Sequence, residues 1–320
     1  MDGGDYDNLT VFAISSPEYR LSLASVTLLA GVVSILGNIL VLAAAIRGAI
    51  KLDKISVFLI KNISAADLAY ALFVILQVGV SLIIDGWSFG PVWCHLSTYL
   101  ELTLSAADIL LICALNITKL TVILKPFAAR QWTNRTAYVI VSLIWVSSNV
   151  YPVIESLLRD VVFDYRSYRC TFLHEAGVWA WSDPVFVVMV VALPTMFIVS
   201  STVCLLFYVN RVSGIHKEAV FTSIWISGIF LVSYAPMCTY VLGEKWILHE
   251  KDPDLLLKDS VYKNLYRVGL FLKFINSVAN PFIYYSTIMS FNLYVKSLFG
   301  QRKFKINRGV RVKCKHTTTH

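Results

Sequence analysis

Charge is scarce in this sequence. Only 15% of its 320 residues are Asp, Glu, Lys or Arg, 57% are hydrophobic, and the mean hydropathy is +0.66. A soluble domain of this size needs more polar surface than that. A bilayer removes the mismatch, because apolar side chains can face lipid. Acid is missing altogether from the last stretch: Lys296, Arg302, Lys303, Lys305, Arg308, Arg311, Lys313 and Lys315 follow one another with no Asp or Glu between them. Those eight bases equal the whole formal excess of +8, so basicity is a property of the tail. Beside a membrane span it suits an anionic inner leaflet, at about 1 kcal/mol per charge near the surface, and is not read as a nucleic-acid tract. Catalytic signals are also lacking. There is no metal-ligand cluster, no nucleophile–base motif and no inverted repeat of broken helices, so neither an enzyme nor a transporter is expected.

What is present is a series of apolar runs. A span needs roughly 20 mostly apolar residues, and seven such segments stand out, at about 21–46, 55–84, 92–124, 136–158, 183–210, 218–243 and 262–288. The expected fold is an all-α membrane protein, a seven-transmembrane helix bundle over 21–288. An amphipathic helix over 289–300 follows, in which Phe291, Tyr294, Val295, Leu298 and Phe299 recur at helical spacing and should lie on the membrane surface. Residues 1–20 form an N-terminal segment and 301–320 the basic tail. Linkers after spans one, three and five carry Arg47, Lys51, Lys54, Lys125, Arg130, Arg135, Arg211 and Lys217. The positive-inside rule then puts the N-terminus outside, at the plasma membrane. The acidic first residues do not read as a cleavable leader, so span one is expected to serve as the anchor.

This topology sorts weaker signals. Asn8 heads a glycosylation sequon on the outside, whereas those at Asn62, Asn116 and Asn134 fall in spans or inside and should be silent. Of six cysteines, Cys113, Cys204 and Cys238 lie in spans and Cys314 is in the inner tail. Only Cys94 and Cys170 face an oxidising compartment, as a disulfide or else as two free thiols.

Short motifs recur along the spans in order. Span one has Gly37-Asn38 and span two Ala66-Asp67. Trp87 to Gly90 precede Cys94. Span four has Trp145, span five Pro194, span six Phe230 and Pro236, and span seven Asn280-Pro281 followed by Tyr284, with Phe291 beyond. The chain resembles the rhodopsin-like (class A) G-protein-coupled receptors over nearly its whole length. Three positions depart from that pattern. Thr118-Lys119-Leu120 stands where the family has Asp-Arg-Tyr, seven residues separating Lys119 from Pro126; Tyr234 replaces a Trp before Pro236; and Thr202 replaces a Tyr after Pro194.

The resemblance gives the buried polar residues roles. A carboxylate in mid-membrane costs about 2.5–3.5 kcal/mol, so Asp67 should face the bundle interior. In the family its position binds sodium, which implies a sodium site of Asp67, Asp108, Asn276, Ser277 and Asn280, with Asp108 where a Ser is common. Two carboxylates so close either share a proton or are bridged by a cation. Glu101 lies two turns before Asp108 on the same helix face. It can receive a ligand ammonium or guanidinium, or pair internally with Lys273 of span seven; the two are compatible if the ligand breaks the pair. Ser105, Tyr234 and Leu270 are expected beside them in the ligand pocket. Ile109, Pro194 and Phe230 match the family's repacking triad, and Pro236 and Pro281 would act as hinges. Lys119 has no acid at position 118 and only His216 at the usual span-six position, so no restraint on it is evident.

The implied function is a receptor for an extracellular ligand, acting through heterotrimeric G proteins and arrestin. The alternating Val161–Leu173 segment, read as a hairpin, and the charged Lys245–Asp259 loop favour a peptide, with a small amine second. A scavenger or non-signalling receptor is the alternative. A photoreceptor is a more distant one, because the retinal-bearing position is Phe274, one residue from Lys273. Apart from a sodium ion no cofactor is expected.

Overall fold

The computed structural model describes residues 16–165, 167–173, 187–250 and 260–300. Asn8, Cys314, the basic tail beyond residue 300 and residues 251–259 of the charged loop lie outside the described residues.

Six helices are long and apolar enough to cross a membrane, and a seventh, Ser260–Thr287, packs against spans one and six. Span one is Pro17–Ile46. Ser16 caps it by accepting from Tyr19 N, and Pro17 at its first position loses only a donor that would have no helical partner. Its buried stripe is small and polar: Ala24, Thr27, Gly31, Ser34, Asn38 and Val41, while Val26, Leu29 and Leu36 are exposed. That inversion of the usual soluble pattern lets backbones approach closely inside and leaves large apolar residues for lipid. At Gly37 the close neighbour is a rigid ring, since a Cβ there would sit 2.8 Å from Pro281 Cγ of span seven.

Span two runs over Lys54–Ile84 and contains a wide π-helical turn at Ala71–Ile75. Asp53 caps its start by accepting from Ser56 N at 3.0 Å. At the other end Asp85 takes a left-handed conformation (φ 56°), and Arg20 donates to the carbonyls of Leu82 and Ile83, meeting the terminal acceptors the helix leaves unpaired. Span three is Gly90–Leu124. Span four is Asn134–Leu158, started by a capping box between Thr133 and Thr136. Span five begins with a second π-helical stretch, Val187–Ala192, and continues as Leu193–Tyr208. Span six is Gly214–Glu250. It exceeds the expected 218–243 at both ends, so the first residues of the expected charged loop, Lys245 to Glu250, are helical.

Between spans four and five, β1 (Val161–Asp164) pairs antiparallel with β2 (Arg169–Phe172), opposing Phe163 to Cys170. This is the expected hairpin. Cys170 is bonded to Cys94 at the start of span three, which ties the hairpin over that end of the bundle. Tyr168 fixes it further by donating to Asp85 at 2.9 Å.

The short helix after span seven is Met289–Leu298. Its apolar residues do not share one surface, contrary to expectation. Phe291 and Tyr294 are buried against the bundle, where Arg47 donates to Tyr294 Oη at 2.8 Å, whereas Leu298 and Phe299 are exposed. Docking of the inner pair to the linker after span one divides the helix between protein and lipid.

The apolar core has two parts. One, around Ile60, Ile112, Phe230 and Tyr284, fills the half nearer the basic linkers. The other, around Tyr70, Leu104, Leu270 and Phe274, fills the half under the hairpin. Between them lies a polar layer.

Candidate functional site

The polar layer is built from spans two, three and seven. Asp67 and Asp108 are 3% and 6% exposed. Asn280 Nδ2 donates to Asp67 Oδ2 and Asn276 Nδ2 to Asp108 Oδ2, each at 2.7 Å. Ser277 donates to the Asp67 carbonyl at 3.1 Å and meets Ser34 of span one at 2.7 Å. Asn276, Ser277 and Asn280 share a face at helical spacing, which is why span seven can serve both acids at once.

Asp67, Asp108, Asn276 and Ser277 line one cavity together with Ser105, Tyr234 and Lys273. Four residues of the expected ion site therefore share a compartment with three of the expected ligand pocket. Asn280 stands behind Asp67 rather than on the wall. The cavity holds about 10 Å³, room for roughly one water-sized particle. Asp108 Oδ1, Asn276 Oδ1 and Asn280 Oδ1 are buried acceptors with no hydrogen-bond partner in the structure. A group of bare oxygens fits a small hard cation. Among the described residues no cluster of three or more His, Cys, Asp or Glu could hold a metal ion.

At the hairpin side of the cavity Lys273 Nζ lies 3.2 Å from Glu101 Oε1, in the internal pairing that was one of the two readings. The ammonium also sits 5.5 Å from the Tyr70 ring centre and 5.9 Å from that of Tyr234, within cation–π range. Sequence reasoning missed a third member. Arg169, on β2 beside the disulfide, pairs with the same Glu101 oxygen. A signal existed: once Cys170 is bonded to Cys94, its neighbour must hang over span three. Ser105 donates to the Glu101 carbonyl at 2.7 Å, and Leu270 is buried in the adjoining core. Phe274 is buried against Tyr70 and Phe271.

Of the switch residues, Ile109 and Phe230 share one apolar cluster, and Phe230 stacks on Tyr234 with ring centres 4.4 Å apart. Pro194 reaches the same region through its carbonyl, which accepts from Cys113 Sγ at 3.7 Å. Pro236 and Pro281 lie inside spans six and seven. Tyr284 is fully buried. Thr118 donates to its own helix at Leu115 O, and Leu120 packs with Leu205 and Val220 of spans five and six.

Lys119 differs from expectation. It is 1% exposed and its Nζ lies 2.7 Å from Asp53 Oδ2 and hydrogen-bonds Ser56 Oγ. The restraint absent from span three and from the start of span six is supplied by the cap of span two. Burial pushes the Asp53 carboxyl up, but the Lys119 charge and the hydrogen bonds from Lys119 and Ser56 outweigh it and hold the group below its ordinary 3.8. The only advance signal was an acid, Asp53, in an otherwise basic linker.

Comparison with known proteins agrees with this arrangement. Residues 37–284 match the model of the seven-transmembrane receptors of the rhodopsin family. A melatonin receptor type 1B-B of Danio rerio is 29% identical over 48% of this chain and 45% of its own length. The S-geranylgeranyl-glutathione receptor P2RY8 of Homo sapiens is 20% identical over 93% of this chain and 84% of its own. The pyroglutamylated RF-amide peptide receptor of Rattus norvegicus is 21% identical over 78% and 63%. The match thus spans less than half of the melatonin receptor's length. The ordered motifs, the bonded Cys94 and Cys170, the polar layer and the family match give one conclusion: this chain belongs to the rhodopsin family of seven-transmembrane receptors.

Proposed function

We propose that the chain is a plasma-membrane receptor, N-terminus outside, that binds an extracellular peptide and acts on heterotrimeric G proteins and arrestin. The observation carrying this reading is the double engagement of Glu101 by Arg169 and Lys273. A small amine would have to displace two cations from Glu101 and enter a cavity of about 10 Å³. A peptide can instead press on the hairpin, whose Arg169 is joined to Glu101 and whose Cys170 is joined to span three. Force on the outer surface then reaches the polar layer without a deep ligand. Small polar ligands have the second claim, through Glu101, Ser105, Tyr234, Leu270 and Lys273. The bare oxygens around Asp67 and Asp108 support one sodium ion below the ligand. The basic tail supports contact with anionic inner-leaflet lipids, and Asn8 a glycan.

The test is G-protein and arrestin recruitment in cells challenged with peptide and amine libraries. A peptide that recruits either, and loses potency when Arg169 is replaced by Ala, is the expected result. An amine hit whose potency depends on Glu101 but not on Arg169 would overturn the peptide assignment. A second reading, a scavenger or non-signalling receptor, is favoured by one observation: Lys119, at the position of the family's Arg, is buried and ion-paired. Ligand internalised without recruitment would establish it.

A further inference from the structure

Lys61 lies inside span two and has no hydrogen-bond or ion-pair partner among the described residues. The helix starts at Lys54, so Lys61 stands about 10 Å along it at about 1.5 Å per residue. A charged side chain within a span faces the bundle interior in most membrane proteins. Lys61 faces the other way. The bundle side of this stretch carries Ile60, Ile63, Ser64 and Asp67, all buried. Lys54, Phe58, Lys61 and Ala65 recur at helical spacing on the opposite side, where Lys54 and Ala65 are exposed and Phe58 and Lys61 half-buried. Packing against span four shapes a groove there. Phe58 meets the Tyr138 ring edge-on, with ring centres 4.8 Å apart. One turn further, Trp145 Nε1 donates to Asn62 Oδ1 at 3.2 Å and closes the groove's inner wall. Arg135, three residues before Tyr138 on span four, is exposed like Tyr138 itself. Cα–Cβ bonds tilt toward the N-terminus of their helix. In span two that is the end at the basic linkers, so the Lys61 stem leaves the helix toward the rim where Lys54 and Arg135 stand.

We propose that Lys61, with Lys54 and Arg135 at the rim, binds the headgroup of one anionic phospholipid, whose acyl chain continues past Ala65 along the groove between spans two and four. Charge selects this occupant. An ammonium below the membrane surface needs an anion, and the protein supplies none. A sterol brings only a hydroxyl, and a zwitterionic lipid brings an ammonium of its own beside the phosphate. A second copy of the chain is a poor source of countercharge. Among the described residues the acids within spans two to four, Asp67, Glu101, Asp108 and Glu155, are all buried, and Glu218 near the start of span six already accepts from Met289 N at 3.3 Å. The site is separate from the basic tail. Bases beside a membrane attract a charged leaflet as a whole, whereas a lysine set into the span takes a single lipid at a fixed place. Ala65, with no side-chain atom beyond Cβ, leaves room for the chain just above the ammonium. The inference rests on the membrane-spanning fold and not on the G-protein reading.

The test titrates phosphatidylserine or phosphatidylcholine into the full chain in neutral detergent and counts bound lipid by native mass spectrometry. Wild type should take its first phosphatidylserine several-fold more tightly than phosphatidylcholine. Lys61→Met should weaken that first phosphatidylserine several-fold and leave phosphatidylcholine unchanged, while Lys61→Arg should keep most of the preference. Lys303→Gln with Lys305→Gln, which removes two tail bases, should leave the first phosphatidylserine in place. A Lys61→Met titration that superimposes on wild type overturns the proposal, because the ammonium then only reaches for water. Equal weakening of both lipids overturns it as well, since that reports damage to the groove rather than a lost charge. Displacement of the lipid by millimolar inorganic phosphate would assign the cations to a soluble anion, and a membrane protein retained through Lys61 in place of lipid would assign them to a partner helix; either result overturns the lipid site. Melting in phosphatidylcholine nanodiscs checks the fold of each variant, and should Lys61→Met fail there, Arg135→Gln is judged by the same titration. Neither ligand nor G protein is present, so failure of this site leaves the proposed receptor function to its own test.

Discussion

Lys119 and Asp53, 66 residues apart in sequence, meet at 2.7 Å and join the end of span three nearest the basic linkers to the cap of span two. On the proposed function, the contact ties the resting state to a residue of the linker between spans one and two. Asp53→Asn should therefore raise ligand-independent nucleotide exchange. A hydrogen bond to a charged group is worth about 1.5–3 kcal/mol, and about 1.4 kcal/mol is tenfold in an equilibrium, so a rise of about tenfold is expected. Because the folded Asp53 carboxyl sits below 3.8, its stabilisation is complete above that value and is lost only as pH falls through the lowered one. Basal exchange should then be flat between about pH 6 and 8. A basal rate unchanged by Asp53→Asn would remove the restraint from this account.

Glu101 should be less replaceable than either of its partners. Glu101→Gln leaves Arg169 and Lys273 without their shared carboxylate. Breaking a buried pair in this way costs about 3–5 kcal/mol, which should appear as a lower melting temperature and lower surface expression. Lys273→Met keeps the Arg169 contact and should cost less. Adding Lys273→Met to Glu101→Gln should recover only part of the loss, because Arg169 remains. Full recovery would mean that Arg169 does not share the carboxylate.

Sodium should stabilise the purified protein relative to choline at equal ionic strength. Specific binding at ten times the dissociation constant adds about 1.4 kcal/mol, a measurable shift in melting temperature. Asp67→Asn should abolish the shift. Asp108→Ser, which removes one of the two acids from the cavity, should preserve or enlarge it. Identical melting curves in both salts for all three proteins would leave Asp67 and Asp108 as a structural pair.

Gly37 should tolerate a methyl group less well than Gly31 does. A Cβ on Gly37 meets the Pro281 ring at 2.8 and 3.0 Å, while one on Gly31 meets first the end of the flexible Leu76 side chain at 2.7 Å. Overpacking costs about 1–3 kcal/mol where neighbours cannot give way. Thermal melts should place Gly37→Ala well below wild type and Gly31→Ala closer to it. The reverse order would show that span seven yields more readily than a leucine side chain.

The spans were legible because a hydrocarbon core demands long apolar runs, and nothing else in a chain of this composition produces them. The disulfide was legible because topology leaves few cysteines in an oxidising compartment. The Glu101–Lys273 pairing could be read from helical spacing, since both residues sit on stripes whose other members point inward. Asp53 and Arg169 were not legible as partners. Each acts across helices or through a loop, and an acid in a linker or a base in a hairpin has many other uses. The extension of span six to Glu250 was hidden for a different reason: charged residues such as Glu244, Lys245 and Glu250 do not signal a membrane span, but they are sound helix formers once a span has nucleated the turn before them.

The wide turn at Ala71–Ile75 changes how this chain can be aligned with others. A π-helical turn accommodates one additional residue, and one residue is about 100° of helical rotation. A relative whose second span is α-helical throughout will match this one on both sides of the turn only across a single-residue gap. Ungapped counting outward from Asp67 misplaces every position beyond the turn by about 100°. Gln77, buried and accepting from Trp93 Nε1 at 2.8 Å, would trade its place with a neighbour. Low pairwise identity toward the hairpin end of span two can therefore arise from a slipped register as well as from divergent sequence.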